Sequence, residues 1–294
     1  MDGDATRTGF VRIRSSRRIL DSSRTISRNW PIRFGLYSSE GTVDAVSTLR
    51  NAHWQPPPAP ALDAQAVHVW RIHVDDELPD VNWSVLSDDE HDRARRFHFE
   101  IHRRCFVAAH AATRRILAFY AGVNPLSLQF AEGEFGKPSL ANVDGLDFNL
   151  SHSGELALLA VSRERAVGVD VERWNDEIEH LNLAEHFFSE AECTALRSLA
   201  HADEQVVAGF FAAWSRKEAY IKASGHGITR GLHHFDVSLV PGEPARVIAD
   251  QFDDLAADRW MMCELPAGDG YSAALVAAAP VEDVLLFSAG ASSQ

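Results

Sequence analysis

Two hydrophobic periods alternate along the chain, and their changes mark the elements. Val67, Val69 and Ile72 read as a first strand, its register left open because Trp70 is apolar too. Ser87-Asp88-Asp89-Glu90 sets an N-cap hydroxyl three residues ahead of an acid, a capping box that predicts a helix running through Phe97. A longer helix, rich in Ala and Arg, is expected at 101–120, stopped by Gly122 and Pro125. Residues 126–130 read as a strand and 133–138 as a loop. Strands are then expected at 146–150, 156–162 and 167–172, with turns at 151–154 and 163–165, which together predict an antiparallel meander. Helical spacing covers 182–199, with a second capping box from Ser189 to Glu192. The strongest helix is expected at 204–223, ending at Gly225. Further strands are expected at 236–240, 246–248 and 271–278.

Residues 1–60 lack this periodicity. They are polar and end in Gln55-Pro56-Pro57-Pro58-Ala59-Pro60, so they read as a disordered extension with a stiff linker. The ordered part is expected to begin near Leu62. Each half of the remainder holds strands and one long helix. The expectation is an α+β fold of two related subdomains, 61–165 and 166–294.

Composition narrows the class. With 46% hydrophobic and 24% charged residues, the chain of 294 residues is that of a soluble globular protein. Residues 1–33 hold eight Arg and three Asp, a net of +5 against −14 for the chain, so the remainder carries −19. A body this acidic repels phosphate backbones, which argues against nucleic acid as a partner. The three cysteines, Cys105, Cys193 and Cys263, are odd in number and far apart. They support neither a disulfide framework nor a cysteine zinc site, and a reducing cytoplasm is the expected compartment. No apolar stretch reaches the length of a membrane span. The N-terminus lacks the apolar segment of a secretory signal. Its Arg and Ser loosely match an organelle transit peptide, but its three Asp do not, and it is read as an extension or as sequence upstream of the true start.

Four short stretches can carry chemistry. In Gly168-Val169-Asp170-Val171-Glu172, strand alternation turns the valines inward and both carboxylates to the other face. Two acids that close, about 7 Å apart at their Cα atoms, call for a cation, and oxygen ligands suit Mg²⁺. The plain alternative is a half-buried strand with a solvated acidic face. In Trp214-Ser215-Arg216-Lys217-Glu218-Ala219-Tyr220-Ile221-Lys222, the residues Trp214, Glu218 and Lys222 share one helix face. There the plain alternative is a surface ion pair. Phe148-Asn149-Leu150-Ser151-His152-Ser153-Gly154 reads as a strand ending in a turn whose amides and hydroxyls can cradle phosphate, or as a capped hairpin. His152 adds positive charge there when protonated. A Ser–His hydrolase would need a Gly-x-Ser-x-Gly elbow, which the sequence lacks. Phe135-Gly136-Lys137-Pro138 holds Lys137 in a defined direction at a bend.

Taken in order, these stretches resemble the Sfp-type 4′-phosphopantetheinyl transferases. The likeness is carried by Gly136-Lys137-Pro138, by 148–154, by 168–172, by Trp214-Ser215-Arg216-Lys217-Glu218-Ala219 and by Lys222-Ala223-Ser224-Gly225-His226-Gly227. It is close over 133–230, looser over 85–280, and leaves 1–60 outside. The resemblance implies two similar α+β subdomains with pseudo-two-fold symmetry and coenzyme A in the cleft between them. It implies that the 4′-phosphopantetheine arm passes to a serine of an acyl or peptidyl carrier protein, with Mg²⁺, and that 3′,5′-ADP leaves. By the same resemblance Asp170, Glu172 and Glu218 would bind the metal. Glu218 would also act as base, and Lys222 would neutralise the diphosphate. Lys137, Ser151 and His152 would contact coenzyme A phosphates. Arg103 and Arg104 are the candidates for the 3′-phosphate, with Arg93 and Arg96 just upstream.

Two rival readings share parts of this set. One is another metal-dependent phosphotransferase or nucleotidase. The other is a non-catalytic coenzyme A binding module, which would have no use for a base. Carrier domains are acidic, as is this chain, so an apolar docking surface is expected near Leu181, Leu183, Phe187 and Phe188, unless these four are core. A monomer is expected, because two linked halves build one cleft. The carrier's pathway (fatty acid, polyketide or nonribosomal peptide) is left open.

Overall fold

The computed structural model describes residues 61–74, 80–227 and 231–289; the extension and linker expected at 1–60 lie outside the described residues. In chain order the elements are β1 (Ala66–His73), α1 (Asp80–Trp83), α2 (Asp88–Arg95), α3 (Glu100–Ala121), β2 (Phe130–Glu132), β3 (Pro138–Leu140), β4 (Leu146–Ser153), β5 (Leu156–Arg163) and β6 (Val167–Arg173). There follow α4 (His180–Phe187), α5 (Glu190–Ser198), α6 (Asp203–Ser224), β7 (Phe235–Val237), β8 (Val247–Asp250), α7 (Ala256–Arg259), β9 (Trp260–Glu264), β10 (Tyr271–Ala278) and β11 (Asp283–Ala289).

Two sheets form the centre, one ordered β11-β1-β5-β4 and the other β6-β10-β9. Alternation along each strand feeds two cores. β5 sends Leu156, Leu158 and Ala160 to one side, where they meet Val169, Val171 and Leu275 of the second sheet. Its other side, with Ala157, Leu159 and Val161, packs on Ile116 and Leu117 of α3. The outer face of the second sheet is covered by Phe210, Tyr220 and Ile221 of α6. The layers therefore run α3, sheet, sheet, α6. Each half supplies one helix of 22 residues, both ending at a left-handed glycine, Gly122 and Gly225, and most of one sheet, the first being completed by β11. This is the expected α+β class with two subdomains.

Several expectations change. The meander does not form: β4 pairs with β5, but β6 pairs with β10 in the other sheet. The short link at 164–166 thus carries the chain between sheets. The strand expected at 126–130 starts only at Phe130, because Pro125, with the Asn124 side chain capping Leu126, makes a 3₁₀ turn first. The helix expected at 182–199 is two helices, since Ser189 starts a new one by accepting from the Glu192 amide. Periodicity marks neither β9 nor β11. β11, from the far end of the chain, lies parallel to β1 in the first sheet.

Candidate active site where the two sheets meet

β4 and β6 are the facing edges of the two sheets, and side chains bridge them. Asn149 Oδ1 accepts from the Val169 N–H at 2.8 Å, Ser151 Oγ from Val171 at 3.5 Å and Ser153 Oγ from Arg173 at 3.0 Å. The period of two places all three β4 side chains on one face and selects every second N–H of β6, so one register satisfies the set. These bonds also cap an edge that would otherwise be open. The serine hydroxyls donate in turn to the acids, Ser151 to Asp170 Oδ1 at 2.8 Å and Ser153 to Glu172 Oε2 at 3.1 Å. A serine pair two residues apart thereby holds a carboxylate pair two residues apart.

α6 crosses the acidic face of β6. Gly168 permits this approach: a Cβ there would collide with the Ala219 carbonyl oxygen and the Ala223 amide nitrogen. Glu218 and Lys222, one turn apart on α6, are brought to the β6 acids. Lys222 Nζ lies 2.5 Å from Asp170 Oδ1 and 3.1 Å from Ser151 Oγ. Asp170 is only 2% exposed, and its Oδ2 has no hydrogen-bond partner among the described residues.

The three acids feel one another. Burial pushes Asp170 up, and Lys222 is the chief opposing influence. Glu172 is pushed up to about 7 by burial and by the charges of Asp170 and Glu218, with Ser153 and Lys222 pulling the other way. Burial and Asp170 also raise Glu218. Coupled carboxylates with an unpartnered buried oxygen have the donor chemistry of a hard divalent cation site. Yet among the described residues no three His, Cys, Asp or Glu side chains are already disposed as a metal cage. The cation that this structure sets against Asp170 is Lys222.

The remaining sequence candidates divide. Lys137 Nζ donates to the Val167 carbonyl at 2.8 Å, at the foot of β6. It lines a cavity of about 310 Å³ with Phe135, Pro138, Phe148 and Gly225. Burial lowers its pKa and nearby Asp147 raises it. His152 points away from Ser151 along β4. Partial burial of its ring, and then the charges of His110, Lys222, Arg93 and His102, lower its pKa. Arg93 of α2 lies over Phe106 at 5.3 Å, and Phe106 stacks on His110 at 3.9 Å. His110, Lys222, Arg93 and His102 are thus the basic residues whose charge reaches His152. Arg103 instead pairs with Glu100, and Arg104 sits by Cys105, whose thiol donates to the Gly154 carbonyl.

Of the four apolar residues expected to dock a partner, Phe188 is core, stacked on Phe210. Leu181 and Leu183 are half-buried against the α6 core. Phe187 stands out at 41% exposure, its ring edge-on to Trp214.

Sequence reasoning missed Asn149, Ser153 and Gly168. The signal for the first two was their period-two spacing with Ser151, hidden because 151–154 read as a turn; the strand runs on to Ser153 and the turn falls at Gly154.

An acid pair at the seam of two sheets, with a facing Glu and Lys on one helix, defines a two-subdomain α+β protein with a charged site between its layers. Two family models match in tandem, the N-terminal domain of 4′-phosphopantetheinyl transferase at 76–164 and the 4′-phosphopantetheinyl transferase superfamily at 166–276. The chain belongs to the 4′-phosphopantetheinyl transferase superfamily. It is 40% identical over 232 residues to the 4′-phosphopantetheinyl transferase HetI of Nostoc sp., across 76% of this chain and 93% of that protein. It is 34% identical to a phosphopantetheinyl transferase of Thraustochytrium sp., across 71% of this chain and 75% of the relative. With the 4′-phosphopantetheinyl transferase Sfp of Bacillus subtilis it shares 28% identity, across 53% of this chain and 67% of the relative.

Proposed function

We propose that this chain transfers the 4′-phosphopantetheine arm of coenzyme A to a serine of an acyl or peptidyl carrier protein, in a Mg²⁺-dependent reaction that releases 3′,5′-ADP. The observation that carries the reading is the meeting of Asp170 and Glu172 from β6 with Glu218 and Lys222 from α6 at the edge between two halves of one chain. Asp170, Glu172 and Glu218 would hold the metal, which when bound offsets charge on the diphosphate and the leaving group. Glu218, its pKa raised by burial and Asp170, is suited to take the proton of the incoming serine hydroxyl. Lys222 offers positive charge to the diphosphate from the same rigid helix.

Lys137 and His152 contact coenzyme A phosphates. Ser151 acts one step removed, by orienting Asp170. Arg103 and Arg104 of α3 stay the candidates for the 3′-phosphate, with Arg93 of α2 beside them, since the pair of Arg103 with Glu100 is largely exposed and weak. The carrier docks at the apolar face around Phe187, since two acidic proteins gain nothing from long-range attraction. A single chain supplies both walls of the cleft and works as a monomer. The free thiols of Cys105, Cys193 and Cys263 suit the cytoplasm. No helix among the described residues is long and apolar enough to cross a membrane.

The test is to incubate the chain with coenzyme A, Mg²⁺ and an apo carrier domain and to weigh the carrier by mass spectrometry. Addition of the phosphopantetheine mass is expected, and an unmodified carrier sinks the reading. Glu218→Gln should lower transfer at least about a hundredfold while coenzyme A still binds. Phe187→Ala should raise KM for the carrier and leave that for coenzyme A unchanged; if both constants stay put, the carrier docks elsewhere.

A further inference from the structure

We propose that Lys222 is the resident counter-ion of the acidic cluster, and that it keeps divalent cations off Asp170 until an anionic diphosphate draws its ammonium away. The inference rests on the proposed reading of the site and adds an order of events to it: the cation and the diphosphate enter as mutual helpers.

Geometry carries it. Lys222 Nζ is already in contact with Asp170 Oδ1 and with Ser151, the residue that orients that same oxygen. The Lys222 side chain is 27% exposed and that of Asp170 is 3% exposed, so little water screens the pair. A cation approaching the unpartnered Oδ2 of Asp170 meets a like charge at the opposite oxygen of the same carboxylate. The ammonium cannot retreat by a shift of the helix backbone. α6 is seated on β6 at Gly168, where Ala219 and Ala223 touch the strand. The long lysine side chain can swing, but only if another anion receives its charge. Glu172 and Glu218 already feel its charge, so a swing within the cluster leaves it the counter-ion of the same three acids. A diphosphate brings several negative oxygens to the ammonium. Once Lys222 turns to them, both Asp170 oxygens face the incoming cation. Each ligand thereby strengthens the other, which is a positive coupling between two binding events.

The coupling predicts an inverted effect. Removing the lysine charge should harm use of coenzyme A, yet improve binding of a divalent cation supplied alone. The experiment titrates the full chain with Mn²⁺ in the absence of coenzyme A and reads free Mn²⁺ by electron paramagnetic resonance. Lys222→Met should bind Mn²⁺ about tenfold more tightly than the parent, equivalent to roughly 1.4 kcal/mol. Lys222→Arg, which keeps the charge, should stay near the parent. Adding coenzyme A should tighten Mn²⁺ binding to the parent more than to Lys222→Met. Circular dichroism confirms the fold of each variant, and Lys222→Gln takes the place of Met if that variant is unstable. If Lys222→Met binds Mn²⁺ no more tightly than the parent, while both exceed an Asp170→Asn control, the lysine role is overturned and the metal site stands. If neither exceeds that control, the metal site itself is wrong and the lysine role falls with it.

Discussion

Gly168 sets how near helix α6 can come to the acids of β6. Replacing it with Ala puts a methyl group into the backbone of Ala219 and Ala223, and backbone has no rotamer to yield. Gly168→Ala should therefore cost about 3 kcal/mol in urea unfolding, at the upper end for overpacking, and should cut activity further by parting Lys222 from Asp170. A variant of unchanged stability would show that the contact relaxes freely. At this scale the sequence was informative where a period fixes a face. Asp170 with Glu172, and Glu218 with Lys222, follow from strand and helix spacing alone. It was uninformative where the face depends on what packs alongside. α3 carries Arg103, Arg104, Arg114 and Arg115, and nothing local tells that Arg114 is buried against Glu90 or that Arg103 turns to Glu100.

Elements were announced most clearly by their caps. Both capping boxes form as the sequence specifies, at Ser87 with Glu90 and at Ser189 with Glu192. Each acid also does something its motif does not disclose. Glu192 accepts from the Val237 N–H and pairs with the fully buried Lys217, locking α5, α6 and β7 together. Glu90 accepts from Arg114 Nε at 2.6 Å and meets His110 at 3.1 Å, tying α2 to α3. Burial alone would raise Glu90, but His110, the Ser87 amide and Arg114 hold it down to about 2. A carboxylate depressed from 4.5 to about 2 contributes stability that is complete above pH 4.5 and lost as pH falls toward 2. Removing it should cost roughly 3 kcal/mol near neutrality. Glu90→Gln should thus be less stable than the parent above pH 4.5, with the gap closing below it. His68, kept neutral by burial down to about 3, erodes stability in both proteins from pH 6.5 downward and cancels in the comparison. A gap that stays constant with pH would show that Glu90 is not the charged tie between the helices.

For the molecule as a whole, the division into two sheet-plus-helix halves was legible because each half carries its own long helix with a glycine stop. The order of strands was not. β5 is buried at every position from Leu156 to Ser162, so its alternation is masked by having a core on both sides. The parallel pairing of β1 with β11 joins the two ends of the described chain, a relation no local window contains.

That pairing means the two halves are strapped to each other. Sever the polypeptide in the link at 164–166, and neither piece owns what it needs: the leading piece has β1 with a bare flank, and the trailing piece ends in β11, a strand without a neighbour. Produced separately and mixed, residues 61–164 and 165–294 should find one another, elute as one species in size-exclusion chromatography and regain activity. A trailing piece stopped at residue 282 should fail to do so, although every acid of the site is still in it.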